Sequence, residues 1–253
     1  MSVIRNWKEV IPYIGHDFAI IWPIFRSVGW PDRTPDDAPL QGMAGFTVHR
    51  MQGNQAGDYH DHEDQEQVYY FIKGSGQMKL DGEIIDVEEG DSVHIPAKVM
   101  HQFINNSDDW CEHVLVTGGT INMPYSGTTP SAFKRNWKDI VPYVRHDTAI
   151  IWGLFMGAGR EGVDPQSAVM RGMDGFTVHR MQGRLTGEYH SHEDQEQVYY
   201  FIKGSGQMKL DGEIRDVREG DAVYVPPTVK HQLINNTEDW CEHLLVTANV
   251  DES

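Results

Sequence analysis

The sequence predicts an all-β protein built from two tandem copies of one barrel-like domain. The first observation is an internal repeat: with a shift of 130 residues the second half matches the first without insertion or deletion, so that His60 recurs as His190. Second, no segment shows a sustained 3.6-residue apolar period, which excludes long amphipathic helices. Third, short strand-like segments alternate with turn signals about every 8–12 residues, which is typical of a sandwich or barrel.

The repeat unit has the length of a whole domain. Residues 62–84 recur letter for letter as residues 192–214. Solenoid repeats have periods of roughly 20–50 residues, whereas independently folding domains typically have about 100–150. We therefore predict an N-terminal domain at residues 1–120 and a C-terminal domain at residues 131–253. Residues 118–134 between them have the Gly, Thr and Pro content of a linker.

Both halves begin with the same order of elements. An Arg-Asn-Trp-Lys opening at residues 5–8 precedes a short apolar, β-branched run at residues 18–22, which predicts a strand. Residues 26–41 are rich in Pro, Gly and Asp, as in a surface loop. The counterparts in the second half are residues 135–138, 148–152 and 156–171.

The rest of each half is more closely preserved. Residues 45–53 and 69–83 alternate strand-like runs with turns, and Asp81-Gly82 is a strong signal for a two-residue hairpin. These segments have barely changed between the halves, while the loop at residues 26–41 has drifted. The uneven divergence indicates a structural or functional constraint on the barrel segments.

Composition narrows the classes of partner. The formal net charge is −17, without a Lys/Arg cluster, so a nucleic acid or an anionic membrane would be repelled. No apolar run approaches the roughly 20 residues of a membrane span, and the first residues lack a signal-peptide stretch, which predicts a cytoplasmic protein. Cys111 and Cys241 occupy equivalent places and are predicted to be buried thiols, because a disulfide framework needs more cysteines.

A histidine pattern in each half predicts a metal site. Side chains two residues apart on a strand point to the same face, so His60 and His62 can present two imidazoles to one point. His101, after a Pro-containing turn, is the natural partner from a later strand. Neutral imidazoles suit Fe, Zn, Cu, Ni or Mn and leave positions open for water or substrate. The equivalent residues are His190, His192 and His231.

These segments resemble the two signature motifs of the cupin superfamily. The first motif contains the HxH pair, and the second fits Gly90, Pro96, His101 and Asn105, with Gly220, Pro226, His231 and Asn235 in the other half. The resemblance covers most of both halves. It implies two tandem double-stranded β-helix, or jelly-roll, barrels, each with a metal inside one end. The family includes dioxygenases, decarboxylases, isomerases and lyases, and fold alone does not choose among them.

The fourth ligand depends on strand register. Six residues separate Gly74 from Gln67, which stands where the family motif has glutamate, and Glu66 is one residue earlier. A slip of one residue turns a strand inside out. The spacing favours Gln67 and Gln197 as ligands, with Tyr69 and Phe71 lining the pocket. The alternative places Glu66 inward, followed by Val68, Tyr70 and Ile72.

Several other side chains have two interpretations. Tyr69 and Tyr199 are candidate catalytic proton donors or part of an aromatic wall. His49 and His179 either contribute to the pocket or are strand histidines whose hydrogen bonds are satisfied elsewhere. His113 and His243 face solvent or the core. A hydrogen-bonded turn accounts for His16-Asp17 and His146-Asp147, and the change from His94 to Tyr224 suggests two inequivalent sites.

The functional expectation is a metal-dependent enzyme acting on a small, anionic organic molecule. We expect two divalent transition metals per chain (Fe, Mn, Ni or Zn), acting in a dioxygenase or as Lewis acids in a decarboxylase, isomerase or lyase. The alternative is a cupin that binds or senses a ligand without turnover. We also expect the two barrels to pair within the chain through Trp7 and Trp137, while formation of a homo-oligomer is left open.

Overall fold

The computed structural model describes residues 1–119 and 132–250, and it confirms the all-β prediction. The helices of these residues are two short 3-10 turns, Trp7–Glu9 and Trp137–Asp139. In this part of the chain no helix is long and apolar enough to span a membrane. Most of the predicted linker, residues 120–131, lies outside the described residues. Cys111 and Cys241 are buried and free, as predicted.

The strands of the first half and their bounds are β1 (Val3–Asn6), β2 (Tyr13–Gly15), β3 (Ala19–Arg26), β4 (Met43–Met51), β5 (Gln55–Ala56), β6 (Gln67–Lys73), β7 (Ser75–Leu80), β8 (Glu83–Glu88), β9 (Asp91–Ile95), β10 (His101–Asn105) and β11 (Cys111–Gly118). Those of the second half are β12 (Phe133–Asn136), β13 (Tyr143–Arg145), β14 (Ala149–Gly157), β15 (Ala168–Met170), β16 (Gly175–Met181), β17 (Gln195–Lys203), β18 (Ser205–Leu210), β19 (Glu213–Arg218), β20 (Asp221–Val225), β21 (His231–Ile234) and β22 (Cys241–Asn249).

Each half forms a larger and a smaller sheet. In the first half the larger sheet has the order β12-β9-β6-β11-β4-β3-β2, and the smaller has the order β5-β10-β7-β8. In the second half the orders are β1-β20-β17-β22-β16-β14-β13, with β15 beside β14, and β19-β18-β21. The two-residue hairpin is confirmed: Asp81 and Gly82 have φ of 47° and 92°, and Leu80 pairs with Glu83. Two positive φ values match the type I′ turn.

The first strand of each half belongs to the sheet of the other half. β1 pairs with β20, with Val3 opposite Tyr224, and β12 pairs with β9, with Phe133 opposite His94. The swapped strands cover edges that would otherwise carry unpaired backbone N–H and C=O groups. The two barrels are therefore joined by β-sheet hydrogen bonds as well as by side-chain packing.

Strand β6 is buried on both faces, because one face lines its barrel and the other packs against the second barrel. Tyr69 and Phe71 lie in the core of the first barrel. Val68 and Tyr70 lie in a separate core shared with residues of the second half such as Phe176. Strand side chains alternate between faces, so Gln67 lies on the face of Tyr69, and Glu66 on that of Val68. The apolar run of β6 is continuous for this reason.

Candidate metal centres

Three histidines converge in each half. The segment that carries His60 is paired with β10: the N–H of His101 donates to the carbonyl of His60 at 2.7 Å, and the N–H of His60 donates back at 3.1 Å. The ring centroids of His60 and His101 lie 4.4 Å apart, and those of His62 and His101 5.4 Å apart. One ring nitrogen of each of the three residues lies within 4.8 Å of the others.

The second half repeats this arrangement with almost the same dimensions. The centroids of His190 and His231 lie 4.5 Å apart, and those of His192 and His231 5.5 Å apart. Their ring nitrogens also lie within 4.8 Å of one another. Both triads depend on pairing between segments distant in sequence.

The free nitrogens of the first triad suit a metal ion. Nδ1 of His101 donates to the carbonyl of Val99 at 2.9 Å, which leaves the lone pair on Nε2. The Nε2 atoms of His60, His62 and His101 are buried and have no hydrogen-bond partner among the described residues. Buried polar atoms are normally paired, and imidazole nitrogens are common metal ligands. The donor set therefore fits a divalent transition metal.

Burial lowers the pKa of four of the triad imidazoles and so favours their neutral form. It lowers the pKa of His101 to about 3 and that of His231 to about 4. Burial also lowers the pKa of His62 and of His192. The neutral ring is the form that coordinates a metal, so near pH 7 the protein does not have to remove protons from these groups.

The candidate fourth ligands differ between the halves. Gln67 is buried, and its Oε1 has no hydrogen-bond partner in the described part of the chain. In the second half, Oε1 of Gln197 accepts a hydrogen bond from the Tyr199 hydroxyl at 3.3 Å. Metal coordination by either glutamine is a prediction, and the free oxygen of Gln67 is suited to it.

Glu66 is engaged between the barrels. Its carboxylate accepts hydrogen bonds from the backbone N–H groups of Arg171 and Gly172, at 3.0 and 2.8 Å, and from Nε2 of His94 at 2.9 Å. Glu196 likewise accepts from the N–H groups of Gln41, Gly42 and Met43. The alternative register, with Glu66 directed into the pocket, is not the one observed.

The predicted tyrosines line the barrel interior beside the triads. The ring of Tyr69 lies 6.3 Å from that of His101, and the ring of Tyr199 lies 6.1 Å from that of His231. Burial raises the pKa of both phenols well above 10. Each hydroxyl therefore keeps its proton near pH 7.

His49 and His113 extend the row of imidazoles into the first barrel. They are opposite each other on β4 and β11, with ring centroids 5.1 Å apart. Both are buried, which lowers the pKa of His49 well below its ordinary value and that of His113 to about 3. Together with His60 and Tyr69 they line a cavity of about 20 Å³. Its size suits a water molecule.

His16 is a site residue that the sequence interpretation missed. Its ring stacks on that of His60, with centroids 4.9 Å apart and an angle of 16° between planes. His146 stacks on His190 in the same way, at 4.6 Å and 9°. The available signal was the recurrence of His-Asp in both halves, which a hydrogen-bonded turn also explains. The histidines therefore form two clusters, one around each triad. Within the described residues only His94 lies outside both clusters.

Fold and site together define a two-barrel β-protein with one three-histidine centre in each barrel. The cupin domain family model matches residues 47–117 and 176–247. These matches cover more than half of the chain, which belongs to the cupin family. The two-domain resemblance drawn from the sequence is confirmed.

Known proteins share parts of this sequence and the whole of its fold. Glucose-6-phosphate isomerase of Thermococcus litoralis is 44% identical over 54 residues, or 19% of this chain and 28% of that protein. The matched segments cover between 28% and 37% of the length of the curated relatives. Protein YlbA of Escherichia coli has a TM-score of 0.72 at 15% identity, covering 99% of this chain and 91% of that one. An oxalate decarboxylase of Bacillus subtilis, described with Mn(II) centres, has a TM-score of 0.70 at 14% identity, covering 99% and 78%.

Proposed function

We propose that this bicupin is a metal-dependent enzyme that acts on a small, anionic organic molecule. The observation that carries the proposal is the convergence of the imidazoles of His60, His62 and His101, whose buried Nε2 atoms have no hydrogen-bond partner among the described residues. The second triad, His190, His192 and His231, provides a second metal site. Gln67 and Gln197 are the proposed fourth ligands.

The charge of the ligand set supports an anionic substrate. Imidazole and amide ligands are neutral, so a divalent metal would keep its full charge, whereas glutamate in place of Gln67 would cancel one unit. A more positive centre attracts a carboxylate more strongly and acidifies a bound water further. When bound, such a metal supplies Lewis-acid or redox chemistry.

The chain's own residues determine where protons are held beside the proposed metal. Tyr69 is buried beside the triad and keeps its proton near pH 7, so its hydroxyl is a proposed hydrogen-bond or proton donor to a substrate oxygen. His49 and His113 are neutral and continue the polar lining inward. The cavity of about 20 Å³ beside His60 has room for a water molecule. Tyr199 has the corresponding role in the second half.

Two reaction classes are proposed, in order of preference. The first is oxygen-dependent conversion of a small carboxylate, supported by a neutral set of histidine ligands compatible with Fe(II). The second is Lewis-acid decarboxylation, isomerisation or elimination, with Mn, Ni or Zn as alternative metals. It is supported by the likeness of fold to an oxalate decarboxylase that has Mn(II) centres.

The remaining parts of the proposal concern organisation. Residues 1–120 and 131–253 are the proposed domains, in agreement with the two matches to the family model. A cytoplasmic location is proposed as well, and the formation of a homo-oligomer is left open. The swapped strands β1 and β12 support the pairing of the two barrels within one chain.

The test is reconstitution of metal-free protein with Fe(II), Mn(II), Ni(II) or Zn(II), one metal at a time. Oxygen uptake and substrate loss are then measured with small hydroxy- and keto-carboxylates and sugar phosphates. Turnover with oxygen uptake supports the first class, and turnover without it the second. A double variant, His62→Ala with His192→Ala, is the control and should lose activity. Metal-loaded protein that binds a carboxylate without converting it would contradict the proposal in favour of a sensor.

A further inference from the structure

A single carboxylate connects two imidazoles beside the first triad. Oδ1 of Asp58 lies 2.7 Å from Nδ1 of His16, and Oδ2 lies 3.3 Å from Nδ1 of His60. The rings of the two histidines are stacked 4.9 Å apart. Nδ1 of His60 donates to the backbone carbonyl of Asp58 at 3.4 Å, and the Asp58 carboxylate lies beside the same nitrogen, opposite the Nε2 atom that faces the other ligands.

The backbone on both sides fixes this arrangement. His16 and Asp17 both adopt left-handed conformations, with φ of 45° and 63°, which are uncommon for residues other than glycine. Such strain persists where the surrounding structure maintains it, and it is concentrated at functional sites. The N–H of Gly57 donates to the carbonyl of Phe103 at 2.9 Å, which places Asp58 beside β10. Both imidazoles and the carboxylate are thus held in position by backbone contacts.

The second half has a longer side chain at this position and a looser arrangement. Glu188 replaces Asp58, while the flanking Gly, Tyr and His are the same. Oε2 of Glu188 lies 3.5 Å from Nδ1 of His146. Nδ1 of His190 lies 3.2 Å from the backbone carbonyl of Glu188, and within the described residues no ion pair of 4.0 Å or less joins His190 to this carboxylate.

We propose that Asp58 is a positioning residue that makes the N-terminal metal site the tighter of the two. The inference rests on the proposed binding of metal by the two triads. A carboxylate beside the Nδ1 proton favours the tautomer in which Nε2 is free, and its negative charge makes Nε2 a more basic ligand. Both His60 and His190 have a backbone carbonyl at Nδ1, but of the two only His60 also has a carboxylate within 4.0 Å of that nitrogen. His16 assists by stacking on His60 and sharing the carboxylate.

The experiment exchanges the two acids and measures metal affinity directly. His192→Ala leaves only the N-terminal site and His62→Ala only the C-terminal site, and Mn(II) binding is followed through the electron paramagnetic resonance signal of the free ion. We expect tighter binding at the N-terminal site. Asp58→Asn should weaken it by about 10–100-fold, the range typical of outer-shell partners. Asp58→Glu should bring it close to the C-terminal affinity, and Glu188→Asp should tighten the C-terminal site.

The controls separate this inference from the proposed function. Thermal unfolding of each variant in chelator should match that of its parent, which shows that a change in affinity is not a loss of fold. Absence of Mn(II) binding in both single-site proteins would overturn the metal assignment itself. Normal binding that is unaffected by Asp58→Asn, or equally affected by Glu188→Gln, would overturn the inference alone. Two ions in the protein with only the N-terminal site would make Asp58 and His16 ligands, which contradicts a positioning role.

Discussion

The imidazole of His94 donates to the carboxylate of Glu66 across 2.9 Å, with both side chains buried between the two barrels. At the equivalent place in the second half, the hydroxyl of Tyr224 donates to Glu196 at 3.3 Å. The same carboxylates accept backbone N–H groups from the opposite barrel. Each acid immediately precedes a proposed ligand, Gln67 or Gln197, so that one strand connects the barrel contact to the metal site.

Glu66→Gln should reduce the stability of the protein and leave metal binding within a few-fold of that of the parent. Loss of the charge weakens three hydrogen bonds that are shielded from water, and we expect a cost of about 1–3 kcal/mol. Urea unfolding of metal-free protein and Mn(II) titration of the folded protein measure the two effects. Loss of the metal without loss of stability would show that Glu66 is a ligand.

Gln67→Glu should keep the metal and change the activity. A carboxylate oxygen is a good metal ligand, but it cancels one unit of positive charge and raises the pKa of a bound water. Activity as a function of pH, measured with equal metal content, should shift to higher pH. A variant that behaves as the parent in both metal affinity and pH profile would exclude Gln67 from the ligand set.

Separately produced halves should be unstable alone and recombine when mixed. Residues 1–120 lack β12, which pairs with β9, and residues 131–253 lack β1, which pairs with β20. Each half would also expose the apolar face that contains Tyr70 or Tyr200, and such surfaces self-associate. Size-exclusion chromatography should show aggregates for each half and a one-to-one complex for the mixture. Two well-behaved monomers that do not bind each other would contradict the swapped strands.

Stability should decrease as the pH falls below about 6.5. Burial lowers the pKa of His113 and of His243 to about 3. Between that value and the ordinary pKa near 6.5, the unfolded chain binds protons that the folded chain excludes. Each group should therefore reduce the free energy of unfolding by up to about 1.4 kcal/mol per pH unit. Urea unfolding in chelator at several pH values measures the slope. His113→Phe should reduce the slope by one such contribution, whereas an unchanged slope would show that His113 is not a source of the acid sensitivity.

Saturated protein should contain two divalent ions per chain, and His62→Ala should contain one. Protons compete with the metal for imidazole nitrogens, so acidification should release the ions. Elemental analysis after gel filtration at decreasing pH measures both quantities. Full metal retention below about pH 3, where even His101 would be protonated, would contradict ligation dominated by histidine. One ion in the saturated parent would indicate that only one triad binds metal.

The sequence by itself determined the all-β class, the two-fold repeat and the histidines that converge. These features depend on local rules: strand side chains alternate with a period of two, and Asp-Gly favours the turn after Leu80. The spacing to Gly74 also favoured the register in which Gln67 lies on the face of Tyr69. Local periodicity carries such information because it concerns neighbours within one strand.

Only the tertiary structure decided which side chains and strands from distant parts of the sequence contact each other. The role of Glu66 depends on backbone N–H groups about 105 residues away in sequence, and the exchange of β1 and β12 depends on edges that local pattern does not reveal. The stacking of His16 on His60 likewise joins a turn to a distant segment. Long-range hydrogen bonds and ring contacts are set by how the barrels close and pack, so a pattern read along one strand does not contain them.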